Sequence, residues 1–371
     1  MDLSLSDEQR IIRDTFHRFA AQEIRPVAGQ LDEAPDFPRE LFAKVGALGF
    51  YGMRYPEPEG SGADMLSYLL AVEELAWGSL SVAAACAMQS LMGTWFLHRF
   101  TEGELRERLF LPALTGAAIG AICMTEPDAG SDLMAVTTRA ETRGDSWLIS
   151  GAKTWVTSAP VADFFTVLAR TGETALSFFL VERGADGLTI GRSIEKMGVR
   201  ASLTSEVGFE EVPATCMLGD PGQGAACLRE VLAEIRLLTA ALALGVGRAA
   251  FEDARAYADE RRQFDRPIRG FQAIQAHLAE MAVDLEAARR MTWWAAWHGE
   301  RGGDSAQEAA MAKLHASEAA LRICERAARI FASYGYARDY PIERYLRDVR
   351  FTLIGGGTSE ILRVNIARGL Y

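Results

Sequence analysis

The sequence predicts an α+β protein in three parts, helical at both ends with a β-rich middle. Three observations carry this. Residues 1–119 place apolar side chains at three- and four-residue steps, as in Ile12, Phe16 and Phe19. Residues 120–220 change to short runs of Val, Ile, Thr, Phe and Trp split by turn-forming pairs. From 221 to 371 the helical period returns in long segments. A chain of 371 residues is too long for one ordinary core. The expected domains are therefore an N-terminal helical domain (1–119), a middle β-domain (120–220) and a C-terminal helical domain (221–371).

Ser6 followed three residues later by Gln9 has the spacing of a capping box and marks the first helix start. The stretch 54–64 holds two Pro and two Gly and reads as a loop. A helix is expected over 65–76, and an apolar stretch covers 82–100. Strands are expected at 135–142, 146–149, 164–169 and 176–181, mostly antiparallel, as a barrel or sandwich. Turns fall at Arg143-Gly144-Asp145 and Ser150-Gly151. Long helices follow over 225–260, 271–301 and 305–334, with a shorter one over 343–349. Packing as a four-helix bundle is the natural way for them to bury their apolar stripes.

Composition excludes several functions. With 49% hydrophobic and 24% charged residues the chain is globular, not disordered. Lys plus Arg number 39 against 50 Asp plus Glu, a net charge of −11 that argues against a nucleic-acid binder or an anionic membrane surface. No apolar run approaches the length of a membrane span, so none is expected. The start of the sequence lacks the basic-then-apolar plan of a signal peptide. Five scattered cysteines form no CxxC or Cys/His metal spacing. They suit reduced thiols in a cytoplasmic protein, and no metal site is expected.

The chemistry lies in a series of segments. The first is Cys123-Met124-Thr125-Glu126-Pro127-Asp128-Ala129-Gly130-Ser131-Asp132, a loop of small and turn-forming residues that presents backbone N–H groups and hydroxyls. Gly151-Ala152-Lys153-Thr154-Trp155-Val156-Thr157-Ser158 follows. Far downstream stand Glu260-Arg261-Arg262-Gln263-Phe264-Asp265-Arg266-Pro267-Ile268, then Phe271-Gln272-Ala273-Ile274-Gln275, and at the end Gly357-Thr358-Ser359-Glu360-Ile361-Leu362-Arg363. Each motif alone is weak. Together, in this order and over nearly the whole chain, they resemble the acyl-CoA dehydrogenase family.

The resemblance implies an FAD protein that is usually a homotetramer, a dimer of dimers with FAD across a subunit interface. Cys123, Met124 and Thr125 match the segment lining the flavin. Ser131 matches a hydroxyl meeting the FAD diphosphate or the acyl carrier. Trp155, Val156 and Thr157 match the segment beside the isoalloxazine, with Thr157 near N5, where a polar neighbour tunes hydride transfer. Arg261, Gln263 and Phe264 match an arm reaching the FAD of a neighbouring subunit, and the Arg fork suits a diphosphate. Phe271 and Gln272 match adenine-side contacts, and Thr358 and Glu360 the C-terminal contacts. The family usually has a Gln and two glycines near Ile330. Here Arg329, Ala332 and Ser333 stand instead, so the contacts of Arg329 and Ser333 differ from the usual ones.

The implied reaction is α,β-dehydrogenation of an acyl thioester, on CoA or on a carrier protein. A carboxylate removes the α-proton while the β-hydrogen leaves as hydride, with electron-transfer flavoprotein or oxygen as acceptor. Most members carry that carboxylate just before the Gly-Thr of the last motif, which here is Gly356. A second solution places it one residue before a helical Arg; that Arg matches Arg236, a substrate-side candidate with Ser131, and the base position is Ile235. Glu234 is adjacent, but one helix step rotates a side chain by about 100°. Glu234 is the remaining candidate for a displaced base. At a third position, near the end of the N-terminal helices, Gln89 is not a base. Two alternatives stay open. The same scaffold serves an enoyl-thioester reductase or a monooxygenase, or it is a non-catalytic flavin-binding subunit.

Overall fold

Ser6 opens the first helix, Asp7–Phe19, through the expected capping box: its hydroxyl accepts from the Gln9 N–H, and the Gln9 amide accepts from the Ser6 N–H. The computed structural model describes residues 4–144, 146–302 and 305–371. Asp145, expected in a turn, lies outside the described residues. Asp64 caps the next long helix, Met65–Gly78, which is buried along almost its whole length. By length and composition the stretch Leu80–Phe100 would suit a membrane crossing, contrary to the expectation that none would. It is instead an internal element: 83% of its most apolar window is buried inside the protein. It also breaks into a helix Leu80–Met88, a π-helical turn Gln89–Gly93 and a helix Trp95–Phe100.

Gln89 in that turn is buried and structural. Its Nε2 donates to the carbonyls of Ala113 and Ala118, and its Oε1 accepts from the Gly120 N–H, all at 2.9 Å. It fastens the last N-terminal helix to the start of the sheet.

Eight strands follow: β1 (Gly120–Cys123), β2 (Arg139–Arg143), β3 (Ser146–Thr157), β4 (Phe164–Arg170), β5 (Leu176–Glu182), β6 (Leu188–Ser193), β7 (Thr204–Pro213) and β8 (Cys216–Leu218). They pair in the order β6-β7-β3-β2-β4-β5-β8, with β1 beside β4. The pairing is antiparallel except where β1 and β2 meet β4. The expected strand at 135–142 begins later, because Leu133–Ala135 forms a 3₁₀ turn capped by Asp132. The strand expected at 146–149 runs on through Thr157.

β4 and β5 are buried on both faces. Phe164, Leu168, Phe178 and Leu180 pack into the large core shared with the helices, and the alternating Phe165, Val167, Phe179 and Val181 fill a second core on the other side. That is the period of two expected of a pleated strand, with both faces covered.

The C-terminal part is built on a 37-residue helix, Gly224–Glu260. Helices Gln272–Glu300 and Ala306–Phe331 pack against it, and the short helices Ile342–Val349 and Ser359–Arg368 close the end. Buried ion pairs tie Gly224–Glu260 and Gln272–Glu300 to Met65–Gly78. Arg248 holds Glu74 through two hydrogen bonds of 2.8 and 2.5 Å, Glu74 also meets His17, and Arg289 holds Glu73 at 2.7 Å. Removing one partner of a buried pair leaves a charge without compensation. Arg248→Ala is therefore expected to cost about 3–5 kcal/mol in urea unfolding. Arg10→Ala, which breaks the exposed pair with Asp7, is expected to cost less than about 1 kcal/mol.

Candidate active site

The loop after β1 is held by a buried ion pair. Lys153 on β3 is fully buried and donates to Glu126 Oε1 at 2.9 Å and to the Met124 carbonyl at 3.0 Å. The same carboxylate accepts from the backbone N–H groups of Thr137 and Thr138 and from the Thr137 hydroxyl. Burial alone would push the Glu126 carboxyl up, but these hydrogen bonds and the lysine bring it down to about 2. A further bond, Thr154 N–H to Thr125 carbonyl at 2.9 Å, stitches the loop to β3.

At this place β3 carries a bulge. Lys153 pairs with Val207 and Val156 with Ser205, so β3 has one extra residue between them. Trp155 takes up the extra residue with φ +57°, and its indole turns outward, 57% exposed. A tryptophan in the left-handed region is rare and needs this anchoring on both sides. The hydroxyls of Thr125, Thr157 and Ser131 make no hydrogen bond within the chain among the described residues. Loop and bulge together therefore offer an aromatic face and free hydroxyls at one edge of the sheet, a donor set that fits a flavin ring. Cys123 and Val156 point the other way, into the second core. Burial raises the Cys123 thiol to about 12, so only the backbone of these two residues is available to a ligand. Glu126 and Lys153 were not singled out from sequence. Their signal, two opposite charges inside two otherwise apolar or small-residue motifs, was present there.

The C-terminal candidates fall in two groups. Arg261 leads into a hairpin of β9 (Arg262–Gln263) and β10 (Arg266–Pro267). Its two turn residues, Phe264 and Asp265, have φ +48° and +63°, as a tight two-residue hairpin turn requires. Phe264 is 86% exposed. Arg261 lies over the Tyr334 ring, next to Ser333, and Arg266 lies over Phe271. Gln272 is exposed at the start of its helix, and Arg329 is exposed and paired with Glu325 at 2.6 Å. No hydrogen bond or ring contact among the described residues joins this arm to the Thr125 loop.

The second group surrounds the Gly355-Gly356-Gly357 turn. A Cβ built on Gly356 would lie 3.1 Å from Ile235 Cγ2 and 3.3 Å from Thr239 Oγ1. The two positions expected for a catalytic carboxylate thus coincide in space, and both are apolar. Gly356 has φ +73°, which adds backbone strain to any side chain placed there. Glu234 is engaged elsewhere: its carboxylate accepts from both Arg54 Nη atoms, at 2.5 and 3.3 Å. Thr358 caps the last helix, accepting from the Ile361 N–H, and Glu360 is exposed with Arg363 at 3.8 Å. Lys313 borders the same turn, donating to the Gly357 carbonyl at 2.7 Å, and Arg236, the residue after Ile235, reaches the Ala306 carbonyl at 3.5 Å.

The aromatic face, the free hydroxyls and the basic arm fit a flavin-dependent oxidoreductase. Family models for the N-terminal, middle and C-terminal domains of acyl-CoA dehydrogenase match residues 6–117, 121–212 and 222–371, and the chain belongs to the acyl-CoA dehydrogenase family. It is 56% identical to a benzylmalonyl-CoA dehydrogenase of Aromatoleum aromaticum, over 99% of both chains. It is 38% identical to a 3-(aryl)acrylate reductase of Clostridium sporogenes, over 98% of this chain and 99% of that one. Among solved structures, butyryl-CoA dehydrogenase from Megasphaera elsdenii superposes over 100% of both chains with a TM-score of 0.96 at 33% identity. The protein is thus an FAD-dependent acyl-thioester dehydrogenase acting on a CH–CH group.

The loop anchor has a pH signature. Its folded carboxyl titrates near 2 against an ordinary 4.5. The stability that Glu126 supplies is therefore whole above about pH 4.5 and lost as pH falls toward 2. Glu126→Gln is expected to lower stability by about 2–4 kcal/mol at neutral pH. In urea unfolding, the gap to wild type is expected to close between pH 4.5 and 2.

Proposed function

We propose that this dehydrogenase oxidises thioesters whose α-carbon carries a carboxylate, losing that group as carbon dioxide where ordinary substrates lose an α-proton. One observation carries the reading: the position where a base would meet the α-carbon holds Gly356 against Ile235, neither of which bears a carboxylate. Glu234 does not supply one, because it is bound to Arg54 and lies one helix step from the residue that faces Gly356. The name of the 56% identical relative fits, since a benzylmalonyl thioester bears a carboxylate on its α-carbon.

The chemistry balances without a base. The bond from the α-carbon to the carboxylate breaks, and its electron pair stays on the α-carbon as the thioester enolate. Those electrons then form the α,β double bond as the β-hydrogen departs with its own pair. FAD, when bound, supplies the acceptor for that hydride. The chain's part is to exclude water and hold the thioester. Ile235 is buried beside Gly356 and keeps the slot poorly solvating, which favours loss of neutral carbon dioxide over a solvated carboxylate. The Gly356 N–H has no partner within the chain among the described residues and is a donor for the thioester carbonyl. Reduction of an arylacrylate would need an acid at this same slot to protonate the α-carbon, and neither Gly356 nor Ile235 is one.

Assembly and acceptor belong to the same proposal. The exposed Phe264 arm suits a homotetramer in which it meets FAD of a neighbouring subunit. The setting is the cytoplasm, the thioester is carried on CoA or a carrier protein, and electrons leave to electron-transfer flavoprotein or oxygen.

Two tests follow. Anaerobic benzylmalonyl-CoA is expected to bleach the flavin and release one carbon dioxide per flavin reduced. The 3-phenylpropionyl thioester, which lacks only the carboxylate, should react at least about 100-fold more slowly. Ile235→Glu, which places a base on unstrained helix, should raise the slower rate by about the same factor. Equal rates for the two thioesters with no carbon dioxide would refute the reading. Separately, Arg261→Ala is expected to retain less FAD than Arg262→Ala, and light scattering of the wild type should give a tetramer. A flavin-saturated monomer would overturn the cross-subunit arrangement.

A further inference from the structure

Three heavy atoms lie nearest to a Cβ placed on Gly356. The Ile235 Cγ2 methyl is at 3.1 Å, the Thr239 hydroxyl oxygen at 3.3 Å and the Ile235 carbonyl oxygen at 3.7 Å. Thr239 stands one turn after Ile235 on the long helix, so the two side chains share the face that meets the glycine turn. It is buried, and its hydroxyl donates to the Ile235 carbonyl at 2.7 Å. Back-bonds of this kind are ordinary in helices: Thr94, Thr101 and Thr292 make the same one. Thr239 differs in where it stands. Its oxygen borders the Gly356 slot, where valine would fill the same volume without a polar atom. The Ile235 carbonyl is also the helix's own acceptor for the N–H of residue 239, so it keeps a partner when the hydroxyl turns away. The slot is thus walled by a methyl, a rotatable donor and the oxygen on which that donor rests.

A hydroxyl that can turn from a second backbone bond to a ligand recognises an acceptor the ligand brings with it. We propose that Thr239 is a specificity-determining residue, whose hydroxyl donates to the substrate's α-carboxylate in the Gly356 slot. The inference rests on the proposed function and adds the residue that reads the leaving group. With the α-carbon at the slot, its carboxylate takes the space that a side chain at 356 would fill, and the Thr239 O–H turns from the Ile235 carbonyl to one carboxylate oxygen. A plain acyl thioester brings only a hydrogen to that space, and the hydroxyl stays on Ile235. A neutral hydroxyl suits a group that must leave. A cation bound through two parallel bonds would hold the carboxylate against loss of carbon dioxide. One hydroxyl orients it, and when neutral carbon dioxide departs the hydroxyl returns to the Ile235 carbonyl, so no buried donor is left unpaired. Thr239 keeps its proton throughout.

Binding tests this apart from turnover. FAD-loaded enzyme is mixed anaerobically with benzylmalonyl-CoA or with 3-phenylpropionyl-CoA, and the first flavin absorbance shift, before bleaching, gives a dissociation constant for each. Their ratio reads what the carboxylate contributes. Thr239→Val is expected to move that ratio against benzylmalonyl-CoA by about 5- to 15-fold, the gain of a hydroxyl bond to a charged acceptor less the backbone bond it gives up. Thr239→Ser, which keeps the hydroxyl, is expected to stay within about twofold of wild type. A merely structural role for Thr239 would weaken both thioesters alike and leave the ratio where it was. The proposal is overturned if Thr239→Val keeps the wild-type ratio, or if Thr239→Ser loses it as fully as Thr239→Val. If either happens while wild type still releases carbon dioxide from benzylmalonyl-CoA, the proposed function stands and only this assignment falls. If wild type releases none, the proposed function falls and this assignment with it. Should Thr239→Val fail to retain FAD, Thr239→Ala takes its place, and a wild-type ratio there refutes the assignment.

Discussion

The Glu126–Lys153 pair is the constraint on which the Trp155 edge of the sheet depends. One carboxylate takes four hydrogen bonds and one lysine joins it to the Met124 carbonyl, so loop, strand and the turn at Thr137 become a single rigid unit. The strained Trp155 exists only inside that frame. Its positive φ is compensated by the bulge pairing on one side and by the Thr154–Thr125 bond on the other. An exposed indole with a fixed orientation is what a flat cofactor requires, and a loop without the buried pair would leave it to wander.

The other half of the site is defined by a side chain that is missing. Two chain positions, on the long helix and in the final glycine turn, meet at one point, and both have given up a carboxylate. The surrounding framework is otherwise kept: Thr358 caps its helix, Lys313 holds the turn, and Arg236 stands where the motif puts it. A site that keeps its scaffold while holding Gly and Ile at both base positions is the ground for the proposed change of leaving group at the α-carbon, with the hydride half of the reaction untouched.

Much of this was legible in the sequence because it is local. The Ser6–Gln9 capping box, the long helix over 224–260, the change of texture at residue 120 and the order of motifs all depend on neighbours a few residues apart. The vacancy at Gly356 and Ile235 was legible too, as two separate facts. Their coincidence was not, since it is created by a helix and a turn distant in sequence packing together. The bulge at Trp155 escaped notice because register is set by the partner strand β7, and a strand's own residues do not reveal an extra one opposite. The apolar stretch after Leu80 was hard to place for a different reason: composition states that it avoids water, and packing alone decides whether lipid or protein replaces it. Gln89, which is no base at the third position, is a three-way backbone clamp, a role with no sequence signature.

The slot at Gly356 also bears on the direction of time in this reaction. An enzyme with a base at the α-carbon is a two-way device: the carboxylic acid that has taken a proton can return it, and label from heavy water creeps into substrate that was never oxidised. Ile235 and Gly356 carry no proton to return. With the carboxylate as leaving group, as proposed, the slot has no group to exchange a proton at the α-carbon, and the departing gas is diluted into solvent before it can recombine. Under the proposed function, the missing side chain turns a reversible proton transfer into a one-way loss of carbon dioxide.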